Sequence, residues 1–169
     1  MRQRHPVVFL SLTAVVVGCA PTASTQLEAN KEVIRRFAEI TNAADWDALD
    51  EVMTEDFRRH SQATAGPPVT SREEFIQLQQ SFLVGMPDQR VDIEMLIAEG
   101  DKVAIYATYS GTHTGPMGEF PPTGRRAESK FLAIFRFEDG KIAELWAEWD
   151  NLAMLAQLGL LPPPAPAGG

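Results

Sequence analysis

Few side chains in this sequence can exchange protons near neutral pH, and they are scattered along the chain. His60 follows the segment DFRR, His113 follows a long apolar–polar alternation, and Glu148 lies in the segment LWAEW. A positioned histidine or a desolvated carboxylate acts as a general acid or base, so these three residues are the catalytic candidates. Each histidine also has a structural interpretation: His60 as a surface-loop side chain, and His113 as a hydrogen-bond partner of the Gly-rich loop that follows it.

Other catalytic motifs are absent from the sequence. The His, Cys, Asp and Glu residues do not have the spacing of metal ligands. The Gly-rich segment 111–124 has no Gly-Lys-Ser/Thr motif and does not precede a helix, unlike a phosphate-binding loop. Ser61 and Ser129 are not part of a G-x-S-x-G motif. The residues therefore predict no metal site and leave acid–base groups as the only candidates for catalysis.

The composition is that of one globular domain with an acidic character. The chain has 169 residues, of which 44% are hydrophobic, and its net charge is −8. Because the sequence has no run of Lys or Arg, nucleic-acid binding is not expected. The single cysteine excludes an intrachain disulfide.

The N-terminal residues are typical of a bacterial lipoprotein signal. Arg2 and Arg4 precede the apolar or small residues of segment 6–17, which is too short to span a bilayer but long enough for a signal-peptide core. The segment Val-Val-Gly-Cys ends at Cys19 and resembles the lipobox, in which the cysteine receives lipid. Ala20 stands where an Asp would favour inner-membrane retention, so an outer membrane is preferred in a Gram-negative cell. The alternative is a buried N-terminal strand with an incidental cysteine.

These features divide the chain into four parts. We predict a signal peptide over 1–18, and a polar tether over 19–26 that begins at the lipidated cysteine. A folded domain over 27–161 and a disordered Pro-rich tail over 162–169 follow. The predicted location is extracytoplasmic, with the protein anchored to a membrane through its N-terminal lipid.

Hydrophobic periodicity predicts three helices before residue 88. The first covers 27–44, the second is a short helix capped by Asp45, and the third begins at the capping box of Ser71 and Glu74. The side chains expected to face the core are Leu27, Ile34, Phe37, Ile40, Ala44, Trp46, Leu49, Met53, Phe75, Leu78 and Phe82.

After the third helix the period changes to two, which predicts four antiparallel strands. They cover about 90–97, 103–113, 125–137 and 141–150, with turns at Gly100 and Gly140. The predicted fold class is therefore α+β, with three N-terminal helices packed on a curved antiparallel four-stranded sheet.

Five segments of the chain resemble the SnoaL-like polyketide cyclase and ester cyclase family. They are GTHTGPMGEFPPTGRR (111–126), FRFEDGKIAELW (135–146), DNLAMLAQLGLL (150–161), EVMTEDFRRH (51–60) and MPDQRVDIEMLIAEGDKVA (86–104). The resemblance extends over about 30–161. It implies the cone-shaped fold of the nuclear transport factor 2 type, an apolar pocket, no metal and no organic cofactor. The best-understood relatives close a polyketide ring by intramolecular aldol condensation.

The same resemblance places apolar residues where these cyclases hold their acid–base pair. In the relatives an Asp directly follows a His-Trp pair on the last strand, and a second His lies opposite on the preceding strand. The first His matches Leu145, the Asp matches Ala147, and the opposing His falls near Ala133. Relatives also carry a His near the pocket mouth, the position that His60 would occupy.

The register of the last two strands decides whether Glu148 can replace the Asp. A three-residue loop over 138–140 would pair Ala133 with Leu145 and Phe131 with Ala147. Glu148 then lies on the face opposite to Ala147, unless a bulge reverses the strand. The residues predicted to share the inner face are Ser129, Phe131, Ala133, Phe135, Leu145, Ala147 and Trp149.

The predicted pocket combines this inner face with residues from neighbouring elements. Tyr109 either orients a ligand or packs in the core with a satisfied hydroxyl, and the second interpretation is favoured. Asp150 is predicted to cap a helix that starts at the following residue. The predicted pocket residues are Phe82, Tyr109, His113, Phe131, Ala133, Ala147 and Trp149.

Two functions of different classes follow from these observations. The first is a binding module that holds an apolar small molecule without converting it. The alternative is a cyclase or isomerase of a polyketide-like or ester carbonyl compound, with His60, His113 or Glu148 as the acid–base group. The outer sheet face mixes Leu132, Ile134 and other apolar residues with charges, and a homodimer through this face is therefore plausible.

The lipobox predicts that Cys19 anchors the protein to a membrane. Replacing the cysteine by Cys19→Ser removes the only sulfur that can carry the lipid, so the variant should move to the soluble fraction. Cell fractionation followed by immunoblotting measures this. Equal partitioning of the wild type and the variant would contradict the prediction.

Overall fold

The computed structural model describes residues 22–64 and 66–161. Four α-helices and five strands make up this part of the chain, and a short 3-10 helix, Trp46–Ala48, precedes α2. The helices are α1 (Ala23–Ala43), α2 (Leu49–Val52), α3 (Arg72–Gly85) and α4 (Asn151–Leu158). The strands are β1 (Met53–His60), β2 (Arg90–Glu99), β3 (Lys102–Thr112), β4 (Arg126–Glu138) and β5 (Lys141–Trp149).

The strands form one mixed sheet in the order β1-β5-β4-β3-β2. The strands β2 to β5 pair antiparallel, as predicted, whereas β1 pairs parallel to β5 at the edge. The predicted α+β class is correct. The predicted count of three helices and four antiparallel strands did not include β1, and it did not count the helix after Asp150, α4, as a fourth helix. The sequence did not predict segment 53–60 as a strand because its only apolar residues are Met53 and Phe57, both fully buried, and its other six residues are polar.

Helix α1 starts earlier than the predicted domain boundary at residue 27. The Thr22 side chain accepts a hydrogen bond from the Thr25 amide at 3.3 Å and caps the helix. Residues 23–26, assigned to the tether, are therefore helical. The predicted signal peptide, Cys19 and the tail over 162–169 lie outside the described residues.

Amide side chains hold α1 and α4 against the sheet. Asn42 of α1 donates to the carbonyl of Val91 and accepts from its amide, both at 2.8 Å. In the same way, Gln157 of α4 donates to the Glu128 carbonyl at 2.8 Å and accepts from its amide at 2.9 Å. Each pair satisfies backbone groups of a strand and fixes the position of a helix at the same time.

Helix α3 begins at the predicted capping residue. The Ser71 hydroxyl accepts from the Glu74 amide at 3.1 Å, while the Glu74 carboxylate accepts from the Thr70 amide rather than from Ser71. Arg72 donates to the Met53 carbonyl at 2.9 Å and so connects α3 to the start of β1. The predicted cap of the last helix is also present, since Asp150 accepts from the Ala153 amide at 2.9 Å.

The hairpin between β4 and β5 differs from the predicted one in two ways that compensate. Its turn has two residues, Asp139 and Gly140, both with positive φ (49° and 79°), as a type I′ turn requires. One extra residue, Ala143, then lies between the pairs Phe137–Ile142 and Arg136–Glu144. The shorter turn reverses which face each side chain occupies, and the bulge reverses it again.

The predicted assignment of faces is therefore correct after the bulge, although the predicted pairing is shifted by two residues. Before the bulge it is wrong for Ile142, which was predicted on the outer face but is buried in the core opposite Phe137. Ala133 lies opposite Ala147, and Phe131 lies opposite Trp149. Glu148 pairs with Leu132 on the other face. The core lies on the inner face, where the aromatic rings of Phe37, Phe57, Phe75 and Phe135 contact one another with centroids 5.3–5.8 Å apart. Within the described ranges no helix has the length and apolar character to cross a membrane.

Candidate ligand-binding cavity

A cavity of about 550 Å³ lies between the helices and the inner face of the sheet. This volume is in the range of small-molecule binding sites. Helices α1, α3 and α4, all five strands and the loop over 116–120 contribute to its walls. The apolar lining residues include Ile34, Phe37, Phe75, Phe82, Met86, Val91, Ile93, Ile105, Met117, Phe120, Phe131, Ala133, Phe135, Leu145, Ala147, Trp149, Met154 and Leu155.

The hairpin supplies the floor of the cavity. Its seven inner-face residues, from Ser129 to Phe135 on β4 and from Leu145 to Trp149 on β5, all line the cavity. Six of the seven predicted pocket residues are among the lining residues, and His113 is the exception. The directly opposed Ala133 and Ala147 contribute only methyl groups at the centre of this wall.

His113 is fully buried away from the cavity, so its prediction as a pocket residue is wrong. Its Nδ1 lies 3.2 Å from the Thr123 hydroxyl, its amide donates to the Arg125 carbonyl, and its carbonyl accepts from the Gly124 amide. The ring thus holds the ends of the Gly-rich loop together. This is the structural role that the sequence favoured.

The other two catalytic candidates lie on the outer side of the sheet. His60 Nε2 is 2.8 Å from a Glu144 carboxylate oxygen, and its ring stacks on Trp146 with centroids 4.8 Å apart. Glu148 accepts hydrogen bonds from the amides of Gln62 and Ala63 at 2.8 and 3.0 Å. Strand alternation explains both positions, because Trp146 and Glu148 face away from Ala147. Neither candidate lines the cavity.

The hydrogen bond from His60 has an electrostatic consequence for its partner. Together with a second hydrogen bond, from Arg136, it lowers the pKa of the Glu144 carboxyl. This carboxylate therefore stays ionised and joins β1, β4 and β5 on the outer face. The arrangement explains His60 as a structural residue of the outer surface.

Tyr109 is the polar residue of the inner face for which the sequence left two interpretations. Its hydroxyl donates to the Gln89 side chain at 2.8 Å, and the residue lines the cavity. Burial, assisted by the negative charge of Asp88, raises the pKa of this phenol to about 12. Tyr109 is therefore a neutral hydrogen-bonding group, and it is no base at physiological pH.

Arg59 is a cavity residue that the sequence analysis missed. Its Nη2 donates to the Thr64 hydroxyl at 2.8 Å, and its Cζ lies 5.5 Å from the ring centre of Trp149. Burial lowers the pKa of this guanidinium, while the charge of Glu148 opposes the shift. The signal for its position was the spacing of two between Phe57 and Arg59, which becomes visible only when segment 53–60 is taken as a strand.

The cavity as a whole can hold an apolar molecule and offer it a few hydrogen-bond donors. None of its described lining residues is an Asp, Glu, His, Lys or Cys. The titratable groups that remain are Tyr109, Arg59 and Arg90, and all three are poor proton acceptors near pH 7. Over residues 22–64 and 66–161, no group of three or more His, Cys, Asp or Glu residues could hold a metal ion.

Comparison with protein families and solved structures agrees with this architecture. A family model described as SnoaL-like polyketide cyclase matches residues 31–158. The search of curated proteins gave no match.

Three solved structures illustrate the range of relatives. IdmH, a candidate polyketide cyclase from Streptomyces antibioticus, is 34% identical to this chain and has a TM-score of 0.70. The match covers 77% of this chain and 98% of IdmH. A candidate SnoaL-like polyketide cyclase from Jannaschia sp. CCS1 is 26% identical, covers 86% and 100%, and has a TM-score of 0.73. AclR from Streptomyces galilaeus, named as a candidate hydroxylase, is 26% identical, covers 80% and 99%, and has a TM-score of 0.70.

The position of Tyr109 predicts a specific dependence of stability on pH. Its pKa is about 12 in the folded chain and about 10 in an unfolded one, so the fold favours the neutral phenol. The stability it contributes is present below about pH 10 and is lost as the pH rises towards 12. Urea unfolding of the wild type should show this loss, and Tyr109→Phe should reduce it. The control Tyr106→Phe, at an exposed tyrosine, should behave like the wild type; an equal pH dependence in all three would refute the prediction.

Proposed function

Because the chain belongs to the SnoaL-like polyketide cyclase family, we propose that it is a lipid-anchored, extracytoplasmic member that binds an apolar small molecule in its cavity. In this proposal the molecule is held without ring closure, because the acid–base pair of the family's aldol chemistry is missing. The binding partner is a hydrophobic compound, and the membrane is contacted through the lipid on Cys19.

The observation that carries the proposal is the lining of the cavity. Its described walls include no carboxylate, imidazole, amine or thiol. Aldol ring closure needs one proton removed from carbon and one delivered to the forming alkoxide. A positioned general acid–base accelerates such steps by about 10²–10⁴-fold. A cavity whose opposed central residues are Ala133 and Ala147 is suited to binding rather than to this proton transfer.

The spacing between the anchor and the domain supports the membrane part of the proposal. Cys19 is four residues from Ala23, where α1 begins. Four residues span at most about 14 Å, so a lipidated cysteine would hold the domain close to the membrane surface. An apolar ligand and a nearby bilayer are chemically compatible.

The outer sheet face supports a further part of the proposal, pairing with a second copy of the chain. Met95, Ile97, Leu132 and Ile134 are large apolar residues that are exposed on this face. Charged residues such as Lys130 and Glu94, which contact each other, lie between them. A self-complementary interface would remove these apolar side chains from water and leave the charged pair at its polar rim.

Ring closure by an active cyclase is the second candidate function. The observation in its favour is the 34% identity to IdmH, which is itself named as a candidate polyketide cyclase. Its acid–base group would have to be His60, His113 or Glu148. Each of these has a structural hydrogen-bond partner in place of contact with the cavity.

The binding proposal predicts that the protein purified from its own host carries an apolar molecule. A native mass spectrum should show the added mass, and Ala133→Phe should remove it by filling the centre of the cavity. The matched control is Ala104→Phe, the same substitution at a position that pairs with Ile134 on the outer face and adjoins the cavity residue Ile105; it should retain the mass. Identical spectra of the unliganded mass for all three proteins would contradict the proposal.

The proposal also predicts the effect of restoring the acid group. Ala147→Asp places a carboxylate in apolar surroundings, so its pKa should rise and the variant should be less stable than the wild type. With a linear polyketide methyl ester as substrate, the wild type and Glu148→Gln should both show no cyclisation above background, measured by chromatography of the product. A wild type that cyclises the ester, and loses this activity in Glu148→Gln, would establish the second function instead.

A further inference from the structure

Arg59 is a cation in the wall of a predominantly apolar cavity. It lies on β1 beside Leu145 of β5, and the residues before and after it in the chain face the opposite side of the sheet. Phe57, two residues before it, is fully buried in the core, whereas Arg58 is exposed. The alternation of the strand therefore directs Arg59 towards the cavity and Arg58 away from it.

The hydrogen-bonding capacity of the Arg59 guanidinium is mostly unused. A guanidinium has five N–H donors, and within the described ranges the only side-chain hydrogen bond from this one is to Thr64. No carboxylate forms an ion pair with it in the described part of the chain. The negative charge of Glu148 acts on the pKa of Arg59, but this carboxylate already accepts from the amides of Gln62 and Ala63.

Arg59 also has an aromatic contact. The Cζ of Arg59 lies 5.5 Å from the centre of the Trp149 ring. A contact of this kind stabilises the guanidinium as a cation without requiring a carboxylate partner.

The second arginine at the cavity, Arg90, differs from Arg59 in its exposure and in having an ion-pair partner. Arg90 is largely exposed and its Nε donates to the Asp92 carboxylate at 2.8 Å. The chain as a whole has a net charge of −8, which disfavours anions over most of its surface. An anion that enters the cavity would therefore be recognised locally, at Arg59.

We propose that Arg59 is a carboxylate-binding subsite, and that the natural ligand is an apolar molecule bearing one carboxylate. This inference rests on the proposed binding function and specifies its ligand class. The carboxylate oxygens accept two parallel hydrogen bonds from the guanidinium, and the hydrocarbon body occupies the aromatic and aliphatic remainder of the cavity. One guanidinium balances one negative charge, which matches a carboxylate better than a doubly charged phosphate monoester.

Apolar surroundings make this recognition selective for the ionised acid. Hydrogen bonds to charged groups contribute about 1.5–3 kcal/mol, and each 1.4 kcal/mol is about a tenfold change in affinity. A neutral amide of the same shape gains less from the cation. The cavity should therefore prefer an acid to its amide by about tenfold or more.

The test uses the full-length chain with 2-naphthylacetate and its neutral isostere 2-naphthylacetamide, measured by isothermal titration at pH 7. The wild type should bind the acid at least about tenfold more tightly than the amide. Arg59→Gln should abolish this preference, so that the acid and the amide bind with affinities within about twofold of each other. Arg59→Lys, which keeps the charge but loses the paired N–H groups, should retain part of it.

The matched control is Arg58→Gln, which removes the same charge from the adjacent, exposed position and should retain the full preference. Equal affinities for acid and amide in the wild type would overturn the carboxylate subsite while leaving apolar binding intact. A preference that survives in Arg59→Gln, or disappears in Arg58→Gln, would overturn it as well. Absence of binding for both compounds would overturn the proposed binding function together with this inference.

Discussion

A cavity of about 550 Å³ persists inside a small domain only if the surrounding elements cannot close on it. Protein interiors are normally close-packed, so the helices must be held at a fixed distance from the sheet. Here Asn42 holds α1, Arg72 holds α3 and Gln157 holds α4, each by hydrogen bonds to strand backbone. These contacts satisfy strand backbone groups and also preserve the space in which a ligand can bind.

Several polar groups that line the cavity are already hydrogen-bonded within the protein. Tyr109 is engaged with Gln89, and Asn151 accepts from the indole N–H of Trp149 at 2.7 Å. Their hydrogen bonds shape the walls, so they contribute less to the recognition of a ligand. Arg59 differs from these two residues because, within the described ranges, its side chain donates only to Thr64. Function within a shared fold depends on the side chains of the site, so the few polar residues of this cavity carry its specificity.

The sequence contained enough information for the fold class and for most of the cavity wall. The alternation of inner and outer residues in β4 and β5 identified the inner face, because shifting the pairing by two residues leaves each side chain on the same face of the sheet. The exact turn was misassigned although Asp-Gly is typical of a type I′ turn, because a three-residue loop would also place Gly140 at a positive φ. Strand β1 was missed because its charged residues mask the pattern, and Arg59 was missed with it. His113 was misplaced because its ring bonds to Thr123, a contact ten residues away that strand parity does not encode.

The turn and the bulge of the β4–β5 hairpin also limit how this segment can change in evolution. Loss of one residue from β5 after the bulge, such as Leu145, would exchange the faces of the residues that follow, and Glu148 would lie opposite Ala133 at the cavity wall. Loss of the bulge residue Ala143 would instead restore regular pairing and keep Ala147 on the inner face. A single-residue gap in β5 therefore changes the chemistry of the cavity only when it falls after the bulge.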